Sequence, residues 1–380
     1  MKVAGEWLDH PGTQALCCAL EEAGHRALFV GGCVRNALMG LPVSDIDIAT
    51  DARPETVSDI AEKHGFRVVP TGIDHGTVTV IADTLAHEVT TFRRDIETDG
   101  RHAIVAFSDR VEEDAARRDF TMNALYADRT GAVIDPLNGL PDLLARRVRF
   151  VRDPSARIAE DYLRILRFFR FYAHYGDPAE GIDPEGLAAC ATQSAGIETL
   201  SRERIGAEMR KLLAATDPAP AVASMATAGV LQVVLPGADM RALAPLVHLE
   251  AGMPPRWLRR LAVLGGQDVA DRLRLSRREA ADLGNIRKEM GGILTPAALG
   301  FVLGESLGTD AVLARAAALE VPLPDGWASD VARGASAAFP LCAADLMDRF
   351  QGPALGAALQ AARQRWLASD LMLSRIELLA

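Results

Sequence analysis

The stretch from Leu28 to Ala49, LFVGGCVRNALMGLPVSDIDIA, constrains this chain more than any other. A short apolar run, Leu28, Phe29 and Val30, enters a Gly-Gly pair. The residues from Cys33 to Met39 predict a helix, and Ser44-Asp45-Ile46-Asp47-Ile48 then alternates polar with apolar. That order fits strand, helix, strand. Gly31 and Gly32 lack Cβ atoms, so the backbone can bend sharply there and approach a ligand closely, while amides at the helix start can face an anionic oxygen. Arg35 adds a cation one turn in. Two apart on a strand, Asp45 and Asp47 project both carboxylates from one face, with Cα atoms about 6.5 to 7 Å apart. Two anions at about 6 Å repel by roughly 3 kcal/mol at an effective dielectric of about 20. A divalent cation turns that repulsion into ligation, and hard oxygen ligands suit magnesium. An isolated D-x-D is as readily a solvated strand face; it is the combination with the glycine turn that points to chemistry.

GG-x-x-R and D-x-D on one strand-helix-strand unit resemble the nucleotidyltransferase superfamily typified by DNA polymerase β. The neighbouring sequence is consistent with such an α/β head. Trp7 to Gly24 reads as an amphipathic helix, Pro54 to His64 as a helix opened by Pro and stopped by Gly65, and Phe66 to Val69, Gly76 to Ile81 and His87 to Phe92 as strands of a small mixed sheet. Glu88, Thr90 and Phe92 share a face of the last strand. By the resemblance, Glu88 is the candidate for a further carboxylate beside the D-x-D. Arg94 to Ala103, polar and without periodicity, reads as a mobile loop beside the site.

Two further stretches carry the resemblance to a narrower family. In ARRDFTMNALYAD, from Ala116 to Asp128, the spacing of Phe120, Ala124 and Leu125 predicts one buried helical face, with Arg118 and Asp119 at its start and Asn123 a turn later. Alone, Asp119 could be a helix cap. RRDFTMNAL resembles a motif of the tRNA nucleotidyltransferase and bacterial poly(A) polymerase family, which implies that Arg118 and Asn123 serve nucleotide binding and Asp119 selects ribose. Asp135 to Leu140 then closes the head in a turn.

From Asp153 the character becomes helical. Asp153 can cap and Pro154 fits the first turn of an apolar helix carrying Asp161, Arg164, Arg167 and Arg170 at steps of three. A surface salt-bridge ladder explains that spacing, but EDYLRILRFFRF as a whole resembles the family's EDxxR helix. The implied role is a protein-made template. The Asp161 carboxylate accepts from the exocyclic amine of cytosine or adenine and Arg164 donates to the adjacent ring nitrogen, with Arg167 and Arg170 as neighbours for base or phosphate. Uracil and guanine offer a carbonyl instead, leaving buried acceptors unpaired at about 1 to 3 kcal/mol each.

Charge and cysteines bound the rest. Net charge is −10, so a nucleic-acid surface here is a basic groove on an acidic body. From Arg146 to Arg170 eight Arg face three acids, and Arg256, Arg259, Arg260, Arg272, Arg274, Arg277 and Arg278 with Trp257 form a second basic region, a candidate surface for RNA backbone. The five Cys are scattered without metal-ligand spacing and read as reduced. No apolar run approaches membrane length and no signal-peptide pattern opens the chain, so the expectation is cytoplasmic with no membrane.

The resulting expectation is a polymerase β-like nucleotidyltransferase head over 1–145, a helical neck with the base-reading helix over 146–215, and a helical body and tail over 216–380. The family implies addition of CMP, CMP and AMP to the tRNA 3′ end from CTP and ATP, with Mg2+ on Asp45 and Asp47 and the triphosphate held by Gly31, Gly32 and Arg35. Alternatives are a poly(A) polymerase, a partial CC- or A-adding enzyme, or a non-catalytic RNA-binding relative. One departure from the family's GGxVRD is Asn36 where Asp is common, for which altered local packing is expected.

Overall fold

The Gly-Gly turn and its flanks fold as the periodicity demands. Leu28–Val30 is β1, buried throughout, and Gly31 (φ 72°) turns the chain into α3, Gly32–Leu38. Before them, the single helix expected from Trp7 to Gly24 is two, α1 (Glu6–Asp9) and α2 (Pro11–Glu22). His10 is extended between them, its ring Nδ1 accepting from the Gly12 amide, and Pro11 occupies the first turn. After α3 come β2 (Ile46–Thr50), α4 (Pro54–Lys63), β3 (Arg67–Gly72), β4 (Thr77–Ala82) and β5 (Leu85–Thr91). The structure, a computed structural model, describes residues 1–73, 76–99 and 102–380, with backbone alone at 71, 95–99 and 102–105.

With β6 (Arg93–Asp99), β7 (His102–Phe107), β8 (Tyr126–Ala127) and β9 (Val133–Ile134), the strands form a seven-stranded sheet of order β3-β4-β5-β2-β1-β8-β9 and a separate β6-β7 ribbon. In the large sheet β2 and β5 pair parallel and the other neighbours antiparallel. This confirms the mixed sheet. The ribbon corrects the expected loop at 94–103, although residues 100 and 101 lie outside the described residues. Its ladder is main-chain hydrogen bonding, which polar side chains do not report in the sequence.

ARRDFTMNALYAD is likewise not a helix. α5 (Val111–Ala116) stops at its first residue, Phe120 bridges Phe150, a 3₁₀ turn covers Thr121–Asn123, and β8 pairs Tyr126 with Val30. Phe120 to Ala127 are buried without a break, Thr121 and Asn123 included, and a segment enclosed on every side has no buried-face period by which strand and helix can be told apart. The turn at Asp135 forms as expected, its carboxylate accepting from the Gly139 and Leu140 amides, and leads into α6, Leu140–Leu144.

The helix expected from Asp153 onward is also two. Asp153 caps α7 (Pro154–Glu160), Asp161 is extended (φ −157°, ψ 106°), and α8 runs from Leu163 to Tyr175. The Asp161 carboxylate accepts from the Leu163 amide at 3.1 Å, a local alternative to helical bonding open to a short acid. α8 packs on the RRDF segment through aromatic rings. The Phe120 ring centroid is 4.9 Å from Phe171 and 5.0 Å from Phe150, and Phe150 is 5.2 Å from Phe168.

Two compact units result: Met1–Leu200 with Ala228–Val230, and Ser201–Thr227 with Leu231–Ala380. The second is helical. It includes Arg202–Leu213, Trp257–Leu264, Arg277–Met290 opened by the Ser276–Glu279 capping box, Pro296–Leu319 and Pro353–Ala368. Pro296–Leu319 is long and apolar enough to cross a membrane, but it is kinked at Gly304 and more than half of its apolar window is buried inside the protein.

The second basic region is corrected in part. Arg259 and Arg260 are 0% and 2% exposed and belong to the core of this unit. Glu250 accepts from both, Asp310 accepts from Arg259 at 3.0 Å and Arg256 at 2.9 Å, and Arg260 also donates to the carbonyls of Leu213 and Thr216. Counting arginines in sequence could not reveal partners ten and fifty residues away. Asp310→Ala leaves Arg259 buried without one of its two carboxylates. It is expected to cost about 3 to 5 kcal/mol of stability in this unit, measured by urea denaturation; a loss below 1 kcal/mol would show that the pair is not a structural requirement.

Candidate active site

Ile46 and Ile48 enter the core while Asp47 is half-buried and Asp45, immediately before β2, is exposed, so the D-x-D alternation holds across the strand start. Parallel pairing of β2 with β5 sets Asp47 directly beside Glu88. On β5, His87, Val89 and Thr91 are buried, whereas Glu88 is exposed. Phe92, expected on the Glu88 face, lies beyond the strand end in the core with Tyr126 and Ala115. Burial, then Glu88, and more weakly Asp45, push the Asp47 carboxyl up to about 6, with Arg118 acting in the opposite direction.

This crowding of anions is the observation that fits a divalent cation. The donors are hard oxygens, and the repulsion among them is the energy that ligation would recover. Among the described residues no three His, Cys, Asp or Glu side chains converge into a cage. Magnesium does not need one, because it commonly takes one or two carboxylates and completes its shell with water and substrate phosphates.

The RRD segment lies against this site and against α8. Arg118 is held by Asp114, which accepts at 3.2 Å from Nε and 2.8 Å from Nη2, and by the Tyr126 hydroxyl at 3.1 Å. Its Nη1 lies 3.4 Å from where a Cβ on Gly31 would stand. The glycine therefore lets the guanidinium close on the turn. Asp119 accepts from its neighbour's amide at Phe120, from Asn123 Nδ2 at 2.8 Å and from Arg167 Nε at 2.8 Å. Burial opposes its charge, yet Arg167, Asn123 and the Phe120 amide hold it below the usual carboxylate range.

Arg35 is 7% exposed, and all three guanidinium nitrogens are engaged within the protein. Nε and Nη2 donate to Asn36 Oδ1, Nη1 to Asn123 Oδ1 and Nη2 to the Tyr175 hydroxyl, with the Tyr175 ring centroid 4.1 Å from its Cζ. Burial lowers its pKa. Arg35 thus fastens the glycine turn to α8 rather than extending from it. Asn36 also donates from Nδ2 to the Pro42 carbonyl at 2.9 Å, a bond the usual Asp could not make. Asn123, one donor and one acceptor, completes a chain from Tyr175 through Arg35, Asn123 and Asp119 to Arg167.

Arg164 does not pair with Asp161 here. Its Nη1 bonds Glu160 and the Arg157 carbonyl, and Nη2 has a 3.4 Å contact with the Arg117 carbonyl. Arg157, almost fully buried, donates to the Arg118 carbonyl at 2.9 Å and ties α7 to the RRD backbone. Arg170 stacks on Phe171 with its Cζ 4.6 Å from the ring centroid. Sequence reasoning missed Asp114, Tyr126, Glu160 and Tyr175. Asp114 and Glu160 had a legible signal, their i,i+4 spacing to Arg118 and Arg164.

Residues 27–149 match the family model described as the Poly A polymerase head domain, and 181–241 match one described as the probable RNA and SrmB-binding site of polymerase A. The Bacillus stearothermophilus CCA-adding enzyme, solved in complex with CTP, is 30% identical. It aligns over 94% of this chain and 93% of its own, with a TM-score of 0.73. The chain belongs to the CCA-adding enzyme family of nucleotidyltransferases. A further family member, the Thermotoga maritima CCA-adding enzyme solved with tRNA, is 19% identical with a TM-score of 0.69 over 96% of this chain and 92% of its own, a likeness of fold. Human mitochondrial CCA tRNA nucleotidyltransferase 1 is 40% identical over 203 residues, 53% of this chain and 47% of its own length. The Limosilactobacillus fermentum CCA-adding enzyme is 42% identical over 196 residues, 51% and 47% respectively. The chain thus spans about half the length of the curated relatives it matches.

The crowding at Asp47 has a measurable cost. Its folded pKa of about 6 lies above the ordinary value of 3.8, so between those values the folded chain holds more protons than the unfolded one and stability falls as pH rises. Asp47→Asn removes that loss. In a chelating buffer at about pH 7.5 the variant is expected to be roughly 1 to 2 kcal/mol more stable than the parent, after allowing for partial solvent screening. The gain should vanish near pH 4. Equal urea midpoints at both pH values would mean that the carboxylates are not crowded.

Proposed function

We propose that this chain adds CMP, CMP and AMP to the 3′ end of tRNA, using CTP and ATP without a nucleic-acid template. The observation that carries the proposal is the convergence, on one unit, of the Asp47–Glu88 pair, the Arg118 and Asp119 segment and the start of α8. It is supported by the likeness to a CTP-bound family member over nearly the whole chain. In this reading the RNA 3′-oxygen forms a bond to the α-phosphorus as the bond to the β-phosphate oxygen breaks. The hydroxyl proton passes to solvent and pyrophosphate leaves.

Asp45 and Asp47 would hold Mg2+, which when bound favours loss of the hydroxyl proton and offsets charge on the leaving group. Glu88, paired in register with Asp47, serves as a further carboxylate in the same field. The Gly32 amide, with Arg118 beside the turn, contacts the triphosphate, while the Gly31 amide donates to the Leu125 carbonyl at 3.3 Å and shapes the turn. Asp119, kept ionised by Arg167 and Asn123, accepts from the ribose hydroxyl. Arg164 commits Nη1 to Glu160 and the Arg157 carbonyl and Nη2 to the Arg117 carbonyl, which leaves its Nε for the base beside Asp161. Free thiols at all five Cys suit the cytoplasm.

With magnesium, CTP and ATP, the protein is expected to extend a tRNA lacking CCA by three nucleotides and stop. Long A tracts from ATP alone would instead indicate a poly(A) polymerase, and binding without extension a non-catalytic relative. Asp161→Ala is expected to relax discrimination against UTP by about tenfold, as loss of one buried mismatch of about 1 to 3 kcal/mol requires. Unchanged discrimination would remove the template role.

A further inference from the structure

We infer that Asp114 and Tyr126 are positioning residues that present Arg118 to the nucleotide's phosphates. The inference rests on the proposed nucleotide-binding role of Arg118. Neither residue lies in the glycine turn, the D-x-D strand or α8.

The geometry is a guanidinium held along one edge. Asp114 Oδ2 accepts from Arg118 Nε and Nη2, the Tyr126 hydroxyl accepts from the same Nε, and that hydroxyl donates to Asp114 Oδ2 at 2.7 Å. The other carboxylate oxygen accepts from the Arg93 amide at 3.3 Å, so the acid is anchored to the start of β6. Nη1 takes no hydrogen bond among the described residues and stands against Gly31, the residue before α3. Two nitrogens are fixed from behind and the third is left facing the turn at Gly31. A planar, always-charged side chain suits such edge-on holding.

A purely structural account is weaker on physical grounds. Asp114 is 1% exposed and Tyr126 is fully buried, within a cluster of Leu28, Val30, Phe92, Ala115 and Ala124. An apolar group of similar volume would fill that space without desolvating a charge, and buried ion pairs are often no more stable than such replacements. One carboxylate oxygen is given to the Arg93 amide at the start of β6 and the other to the guanidinium and the Tyr126 hydroxyl. Tyr126 sits on β8 opposite Val30, one residue before the turn that Arg118 faces, so a shift of either element moves Nη1 relative to Gly31. In Asp114, burial works against the charge, but Arg118 and the Tyr126 hydroxyl hold the carboxyl below its usual range.

The test is a double-mutant cycle on the full chain with magnesium, reading equilibrium CTP binding without tRNA and the separate kcat and KM of addition. Asp114→Asn is expected to weaken CTP binding about tenfold, and Tyr126→Phe by a few-fold, with the change in KM rather than kcat. Made in an Arg118→Ala background, either substitution should have no further effect, because the group being positioned is gone. Equal losses in both backgrounds would overturn the inference and leave Asp114 and Tyr126 as scaffold. Weakened binding in Arg118→Ala alone, with the other two variants unchanged, would overturn it while the nucleotide-binding reading stands. An Arg118→Ala protein that binds CTP normally would sink that reading and the inference together. Tyr126→Phe keeps the ring in the core, so it carries the test if Asp114→Asn does not fold.

Discussion

Mutual repulsion among carboxylates is the constraint on which the site depends. Parallel pairing of β2 with β5 forces Asp47 and Glu88 side by side, and partial burial strengthens a field that water would otherwise damp. A protein selected for stability alone would place a neutral residue at one of the two. Keeping both puts the head under electrostatic tension, which the Arg118 charge relieves in part. Sites of this kind give up some stability for reactivity.

A second arrangement makes the tension useful. The segment from Arg118 to Asn123 lies between the acidic strand and α8, and its side chains point to both. Arg118 faces Gly31, Asp119 is held by Arg167, and Asn123 bridges Asp119 to Arg35. Rings of Phe120, Phe150, Phe168 and Phe171 fill the space below. Polar groups set orientation and aromatic packing sets distance, so the ends of the segment facing Gly31 and α8 are held at a common spacing. Such a network is costly if half-satisfied and specific when complete.

Arginine serves three separate purposes here, which its abundance in the sequence conceals. Arg118 keeps Nη1 and Arg164 keeps Nε outside their internal bonds; Arg35 and Arg157 fasten elements together. Arg259 and Arg260 are core residues neutralised by Glu250 and Asp310. The fork of donors makes all of these possible, and only the local partner decides among them.

Much of this was legible in the chain itself. The period-two alternation through Ile46 and Ile48, the glycines before a helix and the i,i+4 acid before Arg118 are local patterns with local causes, and they determined the strand-helix-strand core and its two acids. Where the pattern was ambiguous or distant, the sequence could not decide. The unbroken buried segment from Phe120 to Ala127 concealed a turn and a strand, and Asp161 broke a helix that its neighbours favoured. The neighbours of Arg35 and Arg259 lie far along the chain. Local periodicity settled which faces are buried, because burial acts residue by residue. Beyond such i,i+4 pairs, which charge meets which was decided only by tertiary packing, because a distant hydrogen-bond partner is a property of space and not of spacing along the chain.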